Sequence, residues 1–188
     1  ASHIRDKLVE MTHLNETIYS TGIASSYQAS KMKSGVFQND NMIANVCKHH
    51  VTRIPYEIGR LAQDLAGGIV ATAPSQQDLD NPAIGELIRK YLKGRKEIAT
   101  EDRLRIVRLI ENMTLGRNAV GYLTESMHGA GSPQAQRVQI AREMQLEFKK
   151  SLARTLAGIA PDSAEEIGED LSDYMAAVFR AVPPDKNE

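Results

Sequence analysis

Tryptophan is absent from these 188 residues, and aromatic residues of any kind make up only 5%. An interior without large rings must be filled by aliphatic side chains, alanine and methionine. That mix suits closely packed helices better than paired sheets, which favour aromatic and β-branched residues. The single cysteine, Cys47, excludes an internal disulfide framework and any all-cysteine metal site within one copy. Charge of one sign is also lacking, with 23 basic against 24 acidic residues and a net charge of −1. No surplus remains to neutralise a phosphate backbone, so no nucleic-acid partner is expected. No run approaches the roughly 20 apolar residues that span a bilayer. The opening ASHIRDKLVEM lacks the apolar core of a signal peptide, so a cytoplasmic protein without membrane contact is expected. The length fits one domain or a piece of a larger protein, and can bury a core without staples.

What is present is apolar spacing at three and four residues, the helical period. From about Ser2 to Ser34, Ile4, Leu8, Met11, Leu14, Ile18 and Gly22 form one stripe. SGVFQNDN stops that helix, and Asp40 or Asn41 is placed to cap the next. The second helix carries Ile43, Val46, Ile54, Ile58, Leu61 and Leu65 and ends at Gly67-Gly68. Pro55 should kink or restart it, because the ring removes a donor and clashes one turn back. IVATAPSQQDLD reads as a loop, and Asn81-Pro82 as the cap and first position of a short helix to about Lys93. Thr100 opens another, striped by Leu104, Val107, Ile110 and Met113; Ser132-Pro133 opens one running to about Ala157. SAEE, from Ser163, fits a capping box for a last helix. Apart from the brief apolar GGIVATA, no strand stands out. The expected fold class is all-α, an antiparallel helical bundle over 1–160, with an added helix at 161–182 and a disordered tail at 183–188.

Three polar clusters interrupt these helices. VCKHHVTR brings Cys47 and His50 to one helix face while His49 points elsewhere; zinc usually needs four ligands, and no second cluster supplies them. A buried thiol beside surface imidazoles is the simpler reading, and no metal site is expected. RLAQDLAGG places Gln63 and Asp64 one turn before a glycine pair. The pair either caps the helix or leaves room for a ligand's close approach. LTESMHGAGSPQAQR, residues 123–137, sets Glu125 and His128 three apart before Gly129 and Gly131, and then starts a helix at Ser132-Pro133. A helix start attracts anions, and a carboxylate beside an imidazole can share a proton with a substrate. The plain alternative is a corner whose serine caps and whose glutamate is solvated. RKYLKGRKE reads as solvated charge.

NVCKHHVTRIPYEIGRLAQDLAGG, ATAPSQQDLDNP, IRKYLKG, RLIENMTLG and GYLTESMHGAGSPQAQR together resemble the C-terminal region of the 4-hydroxybutyryl-CoA dehydratase/vinylacetyl-CoA isomerase family. That family sits within the flavin-dependent 4-hydroxyphenylacetate 3-hydroxylase superfamily. The resemblance runs in order through about residues 3–160, and TESMHGAGSPQAQR is its most specific part. It implies a fold similar to acyl-CoA dehydrogenases, in which a helical N-terminal domain and a β-domain precede a C-terminal bundle. Such bundles form homo-oligomers, dimers or tetramers, and contribute to FAD binding across a subunit interface. The resemblance places Gln63, Gly67 and Gly68 beside the adenine half of FAD. It places Glu125 as a carboxylate near the active site, with His128 as a weaker catalytic candidate.

The family's reaction removes water from 4-hydroxybutyryl-CoA, a CoA thioester, at an unactivated β-hydrogen. FAD and a [4Fe–4S] cluster held by three cysteines and a histidine carry the hard steps. One cysteine cannot build that cluster, and neither Cys47 nor His13 matches its motif, so its ligands are expected upstream of Ala1. The isolated chain is therefore expected to hold no cofactor and to be inactive. It would act with a β-domain supplied by the same polypeptide or by a separate chain. Two alternatives stay open: a non-catalytic helical oligomerisation module, or the domain of a 4-hydroxyphenylacetate 3-hydroxylase-like flavin monooxygenase. A general helical CoA- or nucleotide-binding module has only the helix start at Ser132 behind it.

Overall fold

A computed structural model describes residues 2–159; the capping box at Ser163, the added helix and the tail lie outside the described residues. Helix α1 spans Ser2–Tyr27. Its hydroxyls fold back on their own helix, Thr12 donating to the Leu8 carbonyl at 2.9 Å and Thr17 to the His13 carbonyl at 2.8 Å. The helix stops seven residues short of Ser34 because the chain reverses there. Gly35, at φ 87°, closes a small antiparallel hairpin between β1 (Ser30–Lys31) and β2 (Phe37–Gln38), with Ser30 opposite Gln38. Strand structure thus replaces the expected end of the first helix, at Ser30–Lys31, and enters the segment read as a plain stop, at Phe37–Gln38.

Asp40 caps α2 (Asn41–Val51), its carboxylate accepting from the Ile43 N–H at 2.7 Å. Thr52 and Arg53 then break the helix, and α3 (Ile54–Ala66) begins with Pro55 in its first turn, where a missing N–H costs least. Gly67, at φ 68°, ends α3 and turns the chain. GGIVATA, the expected strand-like stretch, instead winds into α4 (Ile69–Thr72), with Val70 N–H donating to the Gly67 carbonyl at 3.1 Å. The expected loop after it holds α5 (Gln76–Asp80), opened by a reciprocal capping box between Ser75 and Asp78. The Asn81 side chain accepts from the Ala83 N–H at 2.9 Å, as a cap would, but the helix proper is α6 (Gly85–Tyr91).

Helix α7 (Thr100–Thr114) carries the buried stripe of Leu104 and Val107. Thr100 does not cap it; its hydroxyl donates to the Arg89 carbonyl of α6 at 3.1 Å. A π-helical turn, Val120–Thr124, leads into α8 (Glu125–Ala130). The single helix expected from Ser132-Pro133 is two, α9 (Pro133–Glu143) and α10 (Leu146–Leu156), broken where Gln145 adopts φ 49°.

Helix α2 packs on α1, α8 and α9, and α3 packs on α1, α7 and the π turn. Ile54, Leu61, Leu104 and Val107 form the centre of this core, all at most 6% exposed. Large apolar residues such as Ile23, Tyr27 and Phe37 remain exposed along α1 and the hairpin. No helix among the described residues is long and apolar enough to cross a membrane.

Candidate functional site

The 123–137 stretch is shaped by the turn that precedes it. A π turn holds one more residue per turn than an α-helix, which re-aims every side chain after it; such turns recur at functional sites. Here the extra residue falls just before Glu125, the first residue of α8. The Glu125 carboxylate lies close over Gly121 within the turn: a Cβ at Gly121 would stand 3.7 Å from Glu125 Oε2, in ordinary contact. The carboxylate therefore folds back over bare backbone while Glu125 stays exposed. Tyr122, between them, is half-buried, and loss of solvent raises its phenol above the ordinary value. Ser126 Oγ donates to the Tyr122 carbonyl at 2.7 Å and ties the π turn to α8.

His128 follows Glu125 by three residues and is also exposed. Gly131, at φ 92°, ends α8, its N–H donating to the His128 carbonyl at 3.0 Å. Ser132 stands at the cap position of α9 but its hydroxyl caps nothing, so the plain corner reading is only half realised. The corner is held instead by Gln136, which is 3% exposed. Its Nε2 donates to the Ala130 carbonyl at 2.8 Å and the Gly131 carbonyl at 3.2 Å.

Gln63 lies half-buried on the last turn of α3, and its Nε2 donates to the Thr114 carbonyl at 3.3 Å. Gly67 donates its N–H to the Gln63 carbonyl at 2.9 Å and caps the helix as expected. In front of Gly67 and Gly68 the surface is open, with no heavy atom within 4 Å of where a Cβ would stand. Gly68, at φ −57°, needs no glycine for its own backbone. One turn before Gln63, a Cβ at Gly59 would stand 3.3 Å from Thr114 Cγ2 and 3.8 Å from Leu123 Cδ2. The end of α3, the end of α7 and the π turn therefore meet at Thr114. Among the described residues, no hydrogen bond joins Gly67 or Gly68 to Glu125 or His128.

Among the described residues, no group of three or more His, Cys, Asp or Glu side chains is placed to hold a metal. Cys47 is half-buried, its Sγ 3.5 Å from the Ile18 carbonyl. The neighbouring imidazoles are not on the surface as expected: His49 and His50 are both half-buried in α2. Burial, then the neighbouring His49 and Arg53, holds the His50 pKa below its usual value. Asp64 pairs with Lys7 of α1 at 2.7 Å, and that contact keeps its carboxyl low. Part of the basic RKYLKGRKE run is also spoken for, with Arg89 paired to Glu101 at 2.7 Å. Tyr122 and Gln136 were not among the residues singled out in the sequence, although both lie within GYLTESMHGAGSPQAQR.

Helices stacked around an aliphatic core, with a glycine-rich polar corner at one junction, define a helical-bundle domain. Residues 1–158 match the family described as 4-hydroxyphenylacetate 3-hydroxylase C terminal, and the chain belongs to that family. It is 51% identical over 167 residues to the 4-hydroxybutyryl-CoA dehydratase/vinylacetyl-CoA-Δ-isomerase of Clostridium aminobutyricum, covering 85% of this chain and 34% of that protein. A solved structure of an oxygen-tolerant archaeal 4-hydroxybutyryl-CoA dehydratase from N. maritimus superposes with a TM-score of 0.81 at 65% identity. That match covers 95% of this chain and 35% of the archaeal one. The chain thus spans about a third of the length of these relatives.

Proposed function

We propose that this chain is the helical C-terminal part of a flavin-dependent enzyme of the 4-hydroxybutyryl-CoA dehydratase/vinylacetyl-CoA isomerase type. The observation that carries the reading is 65% identity sustained over 95% of the chain against a dehydratase of the same backbone shape. The remaining two thirds of such an enzyme would supply the β-domain and the iron–sulfur ligands.

The residues present fit one of the two implied cofactors. The open cradle at Gly67-Gly68, one helical turn beyond the half-buried Gln63, suits the adenine half of FAD, which can approach bare backbone without steric hindrance. When bound, the flavin supplies the one-electron chemistry that an unactivated C–H bond needs. A [4Fe–4S] cluster does not fit this chain, which has one cysteine and, among the described residues, no metal-binding group.

Within this reading the chain's own work is positional and acid–base. Glu125 accepts or returns a proton at the thioester substrate, aimed by the π turn and lying over Gly121. His128, three residues on, is the second proton-carrying group at the same corner. Gln63 and the glycine pair form one wall for the cofactor. Exposed apolar residues on α1, such as Ile23 and Tyr27, support a homo-oligomer, because patches of this kind are covered in assemblies. The family description also keeps a hydroxylase-like flavin monooxygenase as a second reading.

Reconstitution decides between them. Co-expressed with the N-terminal two thirds of a dehydratase relative, the chain should yield a flavin-containing complex that dehydrates 4-hydroxybutyryl-CoA. Purified alone it should show no flavin absorbance. A complex that hydroxylates a phenol instead would favour the second reading, and one without flavin would sink both. In the complex, Gly68→Ala should leave the melting temperature unchanged, since φ −57° and open space accept a methyl group. It should weaken flavin retention, and unchanged retention would return the pair to a simple cap.

A further inference from the structure

His49 Nδ1 and Gln136 Oε1 are both buried and take no hydrogen bond among the described residues. The orientation of the glutamine amide is fixed by its neighbours. Its Nε2 faces two carbonyls, Ala130 and Gly131, and carbonyls only accept, so Oε1 is the atom that lacks a donor. A neutral imidazole can carry its proton on either ring nitrogen, and Nδ1–H would be such a donor.

The helix register brings the two residues to one level. Asn41, the first residue of α2, donates from Nδ2 to Oε1 of Glu143, the last residue of α9, and the two helices pack on one another. They therefore run antiparallel. At the helical rise, His49 stands about 12 Å along α2 from Asn41, and Gln136 about 10 Å back along α9 from Glu143. Helix α2 also packs on α8, whose last carbonyls Gln136 holds. A lone donor and a lone acceptor thus share one three-helix junction. Neither bonds the other directly, and a single water can accept from a ring N–H and donate to an amide oxygen.

We propose that His49 Nδ1–H and Gln136 Oε1 are joined through one buried water into a strut that positions the α8–α9 corner. The strut sets the His49 proton on Nδ1 and locks the Gln136 amide with both N–H groups toward α8. It thereby fixes the end of the helix that bears Glu125 and His128. His49 and Gln136 are positioning residues, since neither needs to touch a substrate. Any catalytic consequence rests on the function proposed above; the strut itself does not.

The test uses the full chain, labelled with ¹⁵N. Ring-nitrogen shifts should show neutral His49 protonated on Nδ1, and Gln136→Met should move the proton toward Nε2. Amide exchange at Gly131 should rise about tenfold or more in His49→Phe, while Val107 in α7 is unchanged, as expected for a local opening. Adding His49→Phe to Gln136→Met should raise Gly131 exchange no further. An Nε2–H tautomer in the unsubstituted chain would overturn the strut, as would unchanged Gly131 exchange in His49→Phe, a variant that keeps a planar ring but has no N–H to donate. These readouts do not depend on turnover, so a failed reconstitution with flavin leaves the strut's own test standing.

Discussion

In the reconstituted enzyme, Glu125→Gln lowers turnover by about a hundredfold or more, the range that a positioned proton-transfer group contributes. Flavin content and the melting temperature stay where they were. The side chain is exposed, and the amide keeps the shape of the carboxylate over Gly121, so the folded state loses little. Only the capacity to take up a proton at that position goes. The π turn makes the expectation directional. Because Val120–Thr124 sets the aim of α8, Gly121→Val should also depress turnover by crowding Glu125 Oε2. In that variant the carboxylate remains and only its placement is disturbed. The measurement is kcat on the CoA thioester at matched flavin loading. Full activity in Glu125→Gln would remove the residue from the chemistry and leave the corner a structural turn.

The periodicity of the sequence announced most of the helices, and the reason is visible in Leu61, Leu104 and Val107. Each sits on the stripe its spacing described and is buried where α3 meets α7. Ile4 and Leu8 obey the same spacing and are 44% and 51% exposed. Spacing reveals that a face is apolar; it does not say whether this chain covers it. What periodicity missed were short-range backbone decisions. The hairpin around Gly35 is two residues per strand, too short to alternate, and α4 and α5 are too short to show a helical period. The break at Gln145 carries neither glycine nor proline, the residues that ordinarily mark such a place.

The candidate site was legible where it depended on residue type and not where it depended on register or burial. Gly67 and Gly131 do adopt the positive φ that only glycine takes easily. Ser132 looked like a cap and is not one, because Gln136 reaches back and satisfies the corner from the other side. A glutamine in QAQR gives no signal of being 3% exposed; that is a fact about the corner where α8 meets α9, whose Ala130 and Gly131 carbonyls its amide serves. The π turn is equally silent, since one extra residue per turn leaves composition untouched. The resemblance to a known family singled out Glu125 and the glycine pair, and the geometry then supplied what residue type alone lacks: the open space in front of the glycines and the exposure of Glu125 over Gly121.

Among the described glycines, Gly85→Ala should be the most destabilising replacement by alanine. Glycine in a helix ordinarily gains about 1 kcal/mol on replacement by alanine, so the sign has to be argued from contacts. A Cβ at Gly85 would stand 2.2 Å from the Leu79 carbonyl oxygen and 3.1 Å from its carbon. Those are backbone atoms at the end of α5, and they cannot swing aside as the nearby Arg89 guanidinium can. Nor is the main chain free to part: Gly85 N–H donates to the Asn81 carbonyl at 2.8 Å, and Leu79 is 5% exposed in the core. Relief requires α5 and α6 to separate, which would uncover Leu79. Overpacking typically costs about 1–3 kcal/mol, and a clash against main chain belongs at the upper end or beyond. A loss of about 3 kcal/mol lowers Tm by about 10 °C for a domain of this size. Calorimetry on the full chain checks it, with Gly68→Ala as the control that meets open space. Equal melting temperatures for the two variants would mean that α5 and α6 are not held as closely as Gly85 and Leu79 require.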